Sequence, residues 1–124
     1  MNDSYKKLNV YIEARKLVVD IYGVIRNFPI EERYALADQM RRAVISVPSN
    51  IAEGLSRTAP KEQAHFLDIS YGSLMELDCQ LDICNDLGYI SLDKRQSLNT
   101  LVSEIARMLR SLKMQRASQT ITSK

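Results

Sequence analysis

Leu67, Ser70, Leu74, Leu77, Leu81 and Cys84 succeed one another at steps of three and four, and Leu98, Leu101, Val102, Ile105, Leu109 and Leu112 repeat the rhythm further along. At about 3.6 residues per turn such a row stays on one side of a helix, whereas a strand would deal it to both faces. Each stretch therefore carries one apolar seam, and seams of this period pack against each other at a shallow angle. Between them stand Gly88, suited to the left-handed residue that ends a helix, and Ser91, whose hydroxyl suits the cap of the next. The spacing predicts helix three over 59–87 and helix four from Ser91, joined by a short turn that makes them antiparallel.

The first half reads the same way. Leu8, Ile12, Val18, Val19, Tyr22 and Ile25 define helix one from about Tyr5 to Asn27, ended by Phe28-Pro29. Pro29 followed by Glu31 and Glu32 suits a new helix start, which favours a fixed φ and acidic side chains. Helix two then passes through Leu36, Met40, Ala43, Val44, Val47 and Ile51 to about Leu55. Pro48 lies inside it and removes a backbone bond, so a kink is expected there, with Ser46 and Ser49 placed to satisfy the freed backbone. Thr58-Ala59-Pro60 reads as an N-cap with proline in the first turn of helix three, and Ser70, Gly72 and Ser73 are small enough for a neighbouring helix to come close.

Strands want aromatic and β-branched runs bounded by turn clusters, and here Gly, Pro and aromatic residues are few and scattered. The expectation is an all-α chain: an antiparallel up-down-up-down four-helix bundle over residues 1–114, helix two kinked at Pro48, with a flexible polar tail over 115–124. A chain of 124 residues holds one core rather than two. Cys79 and Cys84, about 140° apart on one helix, read as reduced, packed thiols. The amino terminus lacks the apolar stretch of a signal peptide and no run is long enough to span a membrane, so a cytoplasmic location is expected.

The formal charge of +2 conceals segregation. Residues 1–61 carry ten basic and seven acidic side chains, 62–93 none and seven, and 94–124 seven and one. Asp68, Asp78, Asp82 and Asp86 form an acidic stripe on helix three, and Arg107, Arg110 and Lys113 a basic one on helix four, with Lys94, Arg95 and Arg116 near its ends. In an antiparallel hairpin Asp68 falls near Arg110 or Lys113, and Asp86 near Lys94. Basic residues left over, with Arg41 and Arg42 of helix two, are candidates to contact nucleic-acid phosphates without sequence specificity.

Catalytic patterns are lacking. Glu62 and His65 have the Glu-x-x-His spacing of bundle di-metal sites, but His65 is the sole histidine, so no second half exists and no metal is expected. A hydrolytic triad would have to use that same histidine, and no glycine-rich phosphate loop or dinucleotide fingerprint occurs. The reading is of a protein that is not an enzyme and takes no cofactor. The densest run of unusual polar residues is Gln39 to Arg42 followed by Ser46-Val47-Pro48-Ser49-Asn50-Ile51-Ala52-Glu53-Gly54. Gln39, Ser46, Ser49, Asn50 and Glu53 alternate with core positions, which suits a polar network inside the bundle or between protomers. Gly54 allows either close packing or a left-handed finish.

That run, with Phe28-Pro29, Glu32 and Leu36, Phe66-Leu67, Gly72-Ser73-Leu74, Glu76-Leu77 and Leu87-Gly88-Tyr89, resembles the bacterial four-helix-bundle family named after the protein encoded in intervening sequences of large-subunit ribosomal RNA genes. The chain is also similar to the accessory variability proteins of diversity-generating retroelements. The resemblance implies a homo-oligomeric, pentameric bundle without catalytic residues, and by analogy RNA, DNA or a reverse transcriptase as partner. The acidic helix three departs from the strongly basic retroelement proteins. Two functions follow as expectations: an oligomeric scaffold that binds nucleic acid weakly through basic stripes, or a protein-protein interaction module whose charges are consumed within the assembly.

Overall fold

The computed structural model describes residues 4–122, of which the side chains through Gln119 are placed. Four helices account for nearly all of it: α1 (Asn9–Ile25), α2 (Leu36–Leu55), α3 (Pro60–Asp86) and α4 (Leu92–Thr122). Each helix packs on its two neighbours in sequence order, α1 closing the square against α4, and no strand occurs among the described residues. Salt bridges fix the sense of the α3–α4 pair: Arg95 at the start of α4 meets Asp78 and Asp82 late in α3, and Lys113 far along α4 meets Asp68. The expected all-α four-helix bundle is therefore the architecture.

The seams of the second half lie where their spacing puts them. Leu67, Ser70, Leu74, Leu77, Leu81 and Cys84 are fully buried, as are Leu98, Val102, Ile105 and Leu109 to within a few percent, while Leu101 and Leu112 flank the core. Gly88 takes φ of +78°, and the Ser91 hydroxyl accepts the backbone N–H of Lys94 at 3.1 Å. Thr58, by contrast, is not the cap of α3. That position belongs to Ala59, which offers no side-chain bond, and Pro60, lacking an N–H, opens the helix.

Helix one differs in the face it buries. Val10, Ala14, Leu17, Ile21 and Val24 step by four and three into the core with Ile25, whereas Leu8, Ile12 and Val19 are exposed and Val18 and Tyr22 half-buried. The helix has two apolar rows, and the sequence pattern alone favours neither. It is also shorter than expected, since Ser4–Lys7 forms a separate 3-10 turn. Pro29 likewise opens a single 3-10 turn, Ile30–Glu32, and α2 begins only at Leu36. At the other end α4 continues to Thr122, past the boundary expected at 114; residues 123 and 124 of the expected tail lie outside the described residues.

Helix α2 runs unbroken through the buried Pro48. The serines of its own helix do not serve the backbone as expected: Ser49 is exposed and Ser46 turns to α3. Ser70 of α3 donates to the carbonyl of Val47 at 2.8 Å, from a fully buried position, which ties α3 to α2 beside Pro48 but does not reach the Val44 carbonyl that the proline frees. Gly54 lies so close to α3 that a Cβ there would stand 2.6 Å from the Cβ of Phe66, so this glycine serves close packing. Gly72, expected to admit a neighbour, has nothing near its missing Cβ and faces outward.

Candidate functional site

Three sets of polar side chains compete to be the functional surface. The first is the run from Ser46 to Gly54. The Ser46 and Ser73 hydroxyls are 2.7 Å apart, and the Asn50 amide donates to both the hydroxyl and the carbonyl of Ser46 at 2.9 Å. Together with Ser70 and Gly54 they join α2 to α3 within one chain. Asn50 and Ser46 are thereby accounted for as packing polar groups. Glu53 pairs with Arg57 one turn on, and Gln39 and Ser49 project to solvent.

The second set is the basic residues, and the structure separates them. A repeat of three drifts about 60° around a helix at each step, so Arg107 and Arg116, three steps apart, lie on opposite sides of α4. Of the two partners expected for Asp68, Lys113 bonds it at 2.8 Å, and Arg110 lies 5.9 Å over the Tyr71 ring instead. Arg116 is half-buried, while Arg107 and Lys94 are exposed and make no ion pair among the described residues. The contact expected between Lys94 and Asp86 is thus not formed.

Arg95 is corrected outright as a phosphate ligand. Its side chain is nine-tenths buried, with Nε on Asp82 at 2.8 Å and Nη2 on Asp78 at 2.6 Å. Burial works against its charge, but the bonds it donates to the two carboxylates prevail and raise its pKa above the ordinary arginine value. On α2, Arg41 is half-buried and donates to the carbonyl of Arg33 at 2.9 Å, and Arg42, 80% exposed, lies 3.4 Å from Asp38. Asp68, Asp78 and Asp82 of the α3 stripe are therefore neutralised by Lys113 and Arg95, while Lys94 and Arg107 of α4 keep their charges in water.

The third set is one that the sequence pattern did not single out. Outside the core, α1 and α2 form a groove of about 390 Å³ between Tyr11, Val18, Val19, Ile45 and Pro48. Val19 is 72% exposed, and Ile12 and Ile45 are each about two-fifths exposed. Towards the Ile30–Glu32 turn the two helices form a second concavity, of about 390 Å³, carrying Arg26, Arg33 and Arg41. The signal was present in the sequence, as the apolar row of helix one that did not enter the core.

Chemistry-bearing groups are dispersed. His65 is exposed with its ring edge against Phe66, and no group of three metal-ligating side chains occurs among the described residues. Cys84 is buried beside Met40, and burial, aided by the negative charge of Glu32, pushes its thiol up to about 11. Cys79 is exposed rather than packed. No described helix is long and apolar enough to cross a membrane.

No curated protein matches this sequence. A crystal structure from Bacteroides thetaiotaomicron, described as a protein of unknown function from the S23 ribosomal protein family, matches with a TM-score of 0.77 at 21% identity, over 84% of this chain and 97% of that one. That likeness is one of fold. A family model described as 23S rRNA-intervening sequence protein matches residues 6–111, nearly the whole bundle. The chain belongs to the 23S rRNA-intervening sequence protein family.

Proposed function

We propose that this protein is a non-enzymatic interaction module that works in the cytoplasm as a homo-oligomeric scaffold, several copies joined through the outer face of α1 and α2. The observation that carries the reading is the second apolar row along α1, Ile12 and Val19 with Leu8 just before the helix, left exposed although the chain's own core is complete without it, Val19 sharing a groove with Ile45 of α2. Exposed apolar side chains gathered on one face of a small bundle suit a protein contact. Consumption of Arg95 and Lys113 by carboxylates of α3 supports a protein-directed surface over a phosphate-directed one. The resemblance implies five copies.

Sedimentation velocity tests the reading: the chain should sediment as a discrete oligomer, and Val19→Glu should give helical monomers. An unchanged mass for Val19→Glu, or a wild-type monomer at all concentrations, refutes it.

Weak binding of RNA or DNA is the second reading, favoured by Arg107, Lys94 and Arg42, whose charges face water. It expects affinity for a fluorescent duplex to fall steeply with salt and to be lost in Arg107→Glu with Arg42→Glu at unchanged oligomer mass. No binding at low salt eliminates it.

A further inference from the structure

The concavity beside the Ile30–Glu32 turn has three guanidinium side chains, Arg26, Arg33 and Arg41, among apolar groups that include Ile25, Phe28 and Ile30, and no carboxylate lines it. Arg41 is held in place by the Arg33 carbonyl, and its nearest acid, Asp38, stands 3.9 Å away and closer to Arg42. Ile30 is 75% exposed at the rim. Such a site calls for a partner that is acidic and apolar at once.

The end of α3 has that composition. Asp86 makes no ion pair among the described residues, Asp82 keeps two-thirds of its side chain in water despite Arg95, and Ile83 and Leu87 are exposed beside them. No basic residue stands in the last turn of α3, so both acids add to the negative end of the helix dipole. A cation brought from outside relieves that repulsion.

The two patches lie at one end of the bundle. Tyr89, just past α3, donates its hydroxyl to Glu32 at 2.7 Å and packs its ring 5.0 Å from Phe28. Copies related by rotation about an axis along the bundle keep their heights, so two different patches at one height can meet head to tail around a closed ring.

We infer that the arginine concavity of one copy receives the acidic, apolar end of α3, Asp82 to Leu87, from a second copy. The inference rests on the self-association proposed above and adds the contact that gives the assembly its direction. A nucleic acid would satisfy the arginines but be repelled by the carboxylates at the same end of the molecule.

The test uses two variants of the full chain, Arg26→Ser with Arg33→Ser, and Asp86→Lys with Leu87→Ser; all four side chains are exposed, and circular dichroism confirms that both variants fold. Each alone should raise the concentration for half-association about 100-fold or more. Mixed in equal amounts they should form heterodimers and stop, because one intact interface remains per pair. Masses unchanged in both variants, with wild type assembled, overturn this inference and leave self-association standing. A monomeric wild type overturns both. An arginine variant that stays assembled but loses affinity for a labelled RNA assigns the concavity to nucleic acid and also overturns the inference.

Discussion

Tyr89 shows how much a single side chain contributes to this fold. Its hydroxyl bond to Glu32, with burial and the negative charge of Glu32 behind it, raises its pKa from about 10 to about 12. The folded state thus holds the phenolic proton more tightly than the unfolded one, and the stability this confers is complete below pH 10 and lost as pH rises from 10 to 12. Tyr89→Phe should be less stable than wild type at neutral pH, with the difference closing across that window; urea midpoints measured along a pH series check it. Cys84, raised from 9 to about 11, titrates in both proteins and leaves the comparison intact. A difference that persists unchanged at pH 12 contradicts the role given to the bond. Neither partner was legible as a pair in the sequence, because 57 positions separate them and only the folded turn brings them together.

The Arg95 site was half legible. Charge segregation predicts that α3 acids meet α4 bases, and they do, but the depth of each contact depends on where on the helix a residue falls. Arg95 lies on the flank that α3 covers, and Arg107 on the far side, although both read simply as basic from the sequence.

At the scale of elements, Gly54 of α2 and Gly72 of α3 have opposite meanings for helix pairing. Gly54→Ala gains about 1 kcal/mol of helix propensity yet must push Phe66 away at its Cβ, an atom fixed to the α3 backbone. Overpacking of that kind costs about 1 to 3 kcal/mol, so the variant should be destabilised. Gly72→Ala meets open space and should stabilise the protein by about 0.5 to 1 kcal/mol. Denaturant midpoints of the two variants should move in opposite directions, and movement in the same direction would show that α2 and α3 are not as close as described. On the α3 seam, Leu74→Ala and Leu81→Ala should each cost about 2 to 5 kcal/mol, since both side chains are fully buried.

These seams were legible because α3 and α4 each have a single apolar row. Helix α1 has two, and periodicity cannot rank them: Leu8, Ile12 and Val19 satisfy the same period as Val10, Ala14, Leu17 and Ile21. Which row enters the core is decided by the three other helices. The short turn at Ile30–Glu32 escaped for a related reason, since Pro29 and two acids suit any helical start, long or short.

For the whole molecule, the unused row of α1 is the point on which the functional account turns. A chain with a complete core that still exposes Val19 and Ile45 in one groove, with Ile12 exposed on the same helix as Val19, is built to be covered. Its family membership over residues 6–111 establishes the class of bundle, and with Arg95 and Lys113 taken up by Asp78, Asp82 and Asp68 within the chain, the apolar face is the feature that most needs a partner. Association should accordingly weaken with salt, as the arginine–aspartate contact between copies is screened, yet persist, because apolar burial is not screened, whereas an assembly held by the basic stripes alone would dissociate as salt is raised.

The most direct test is the mass of the purified chain, freed of nucleic acid, measured by light scattering during size-exclusion chromatography at low and high salt. One discrete multiple of the chain mass is expected in both conditions. A monomer at either salt concentration would contradict it.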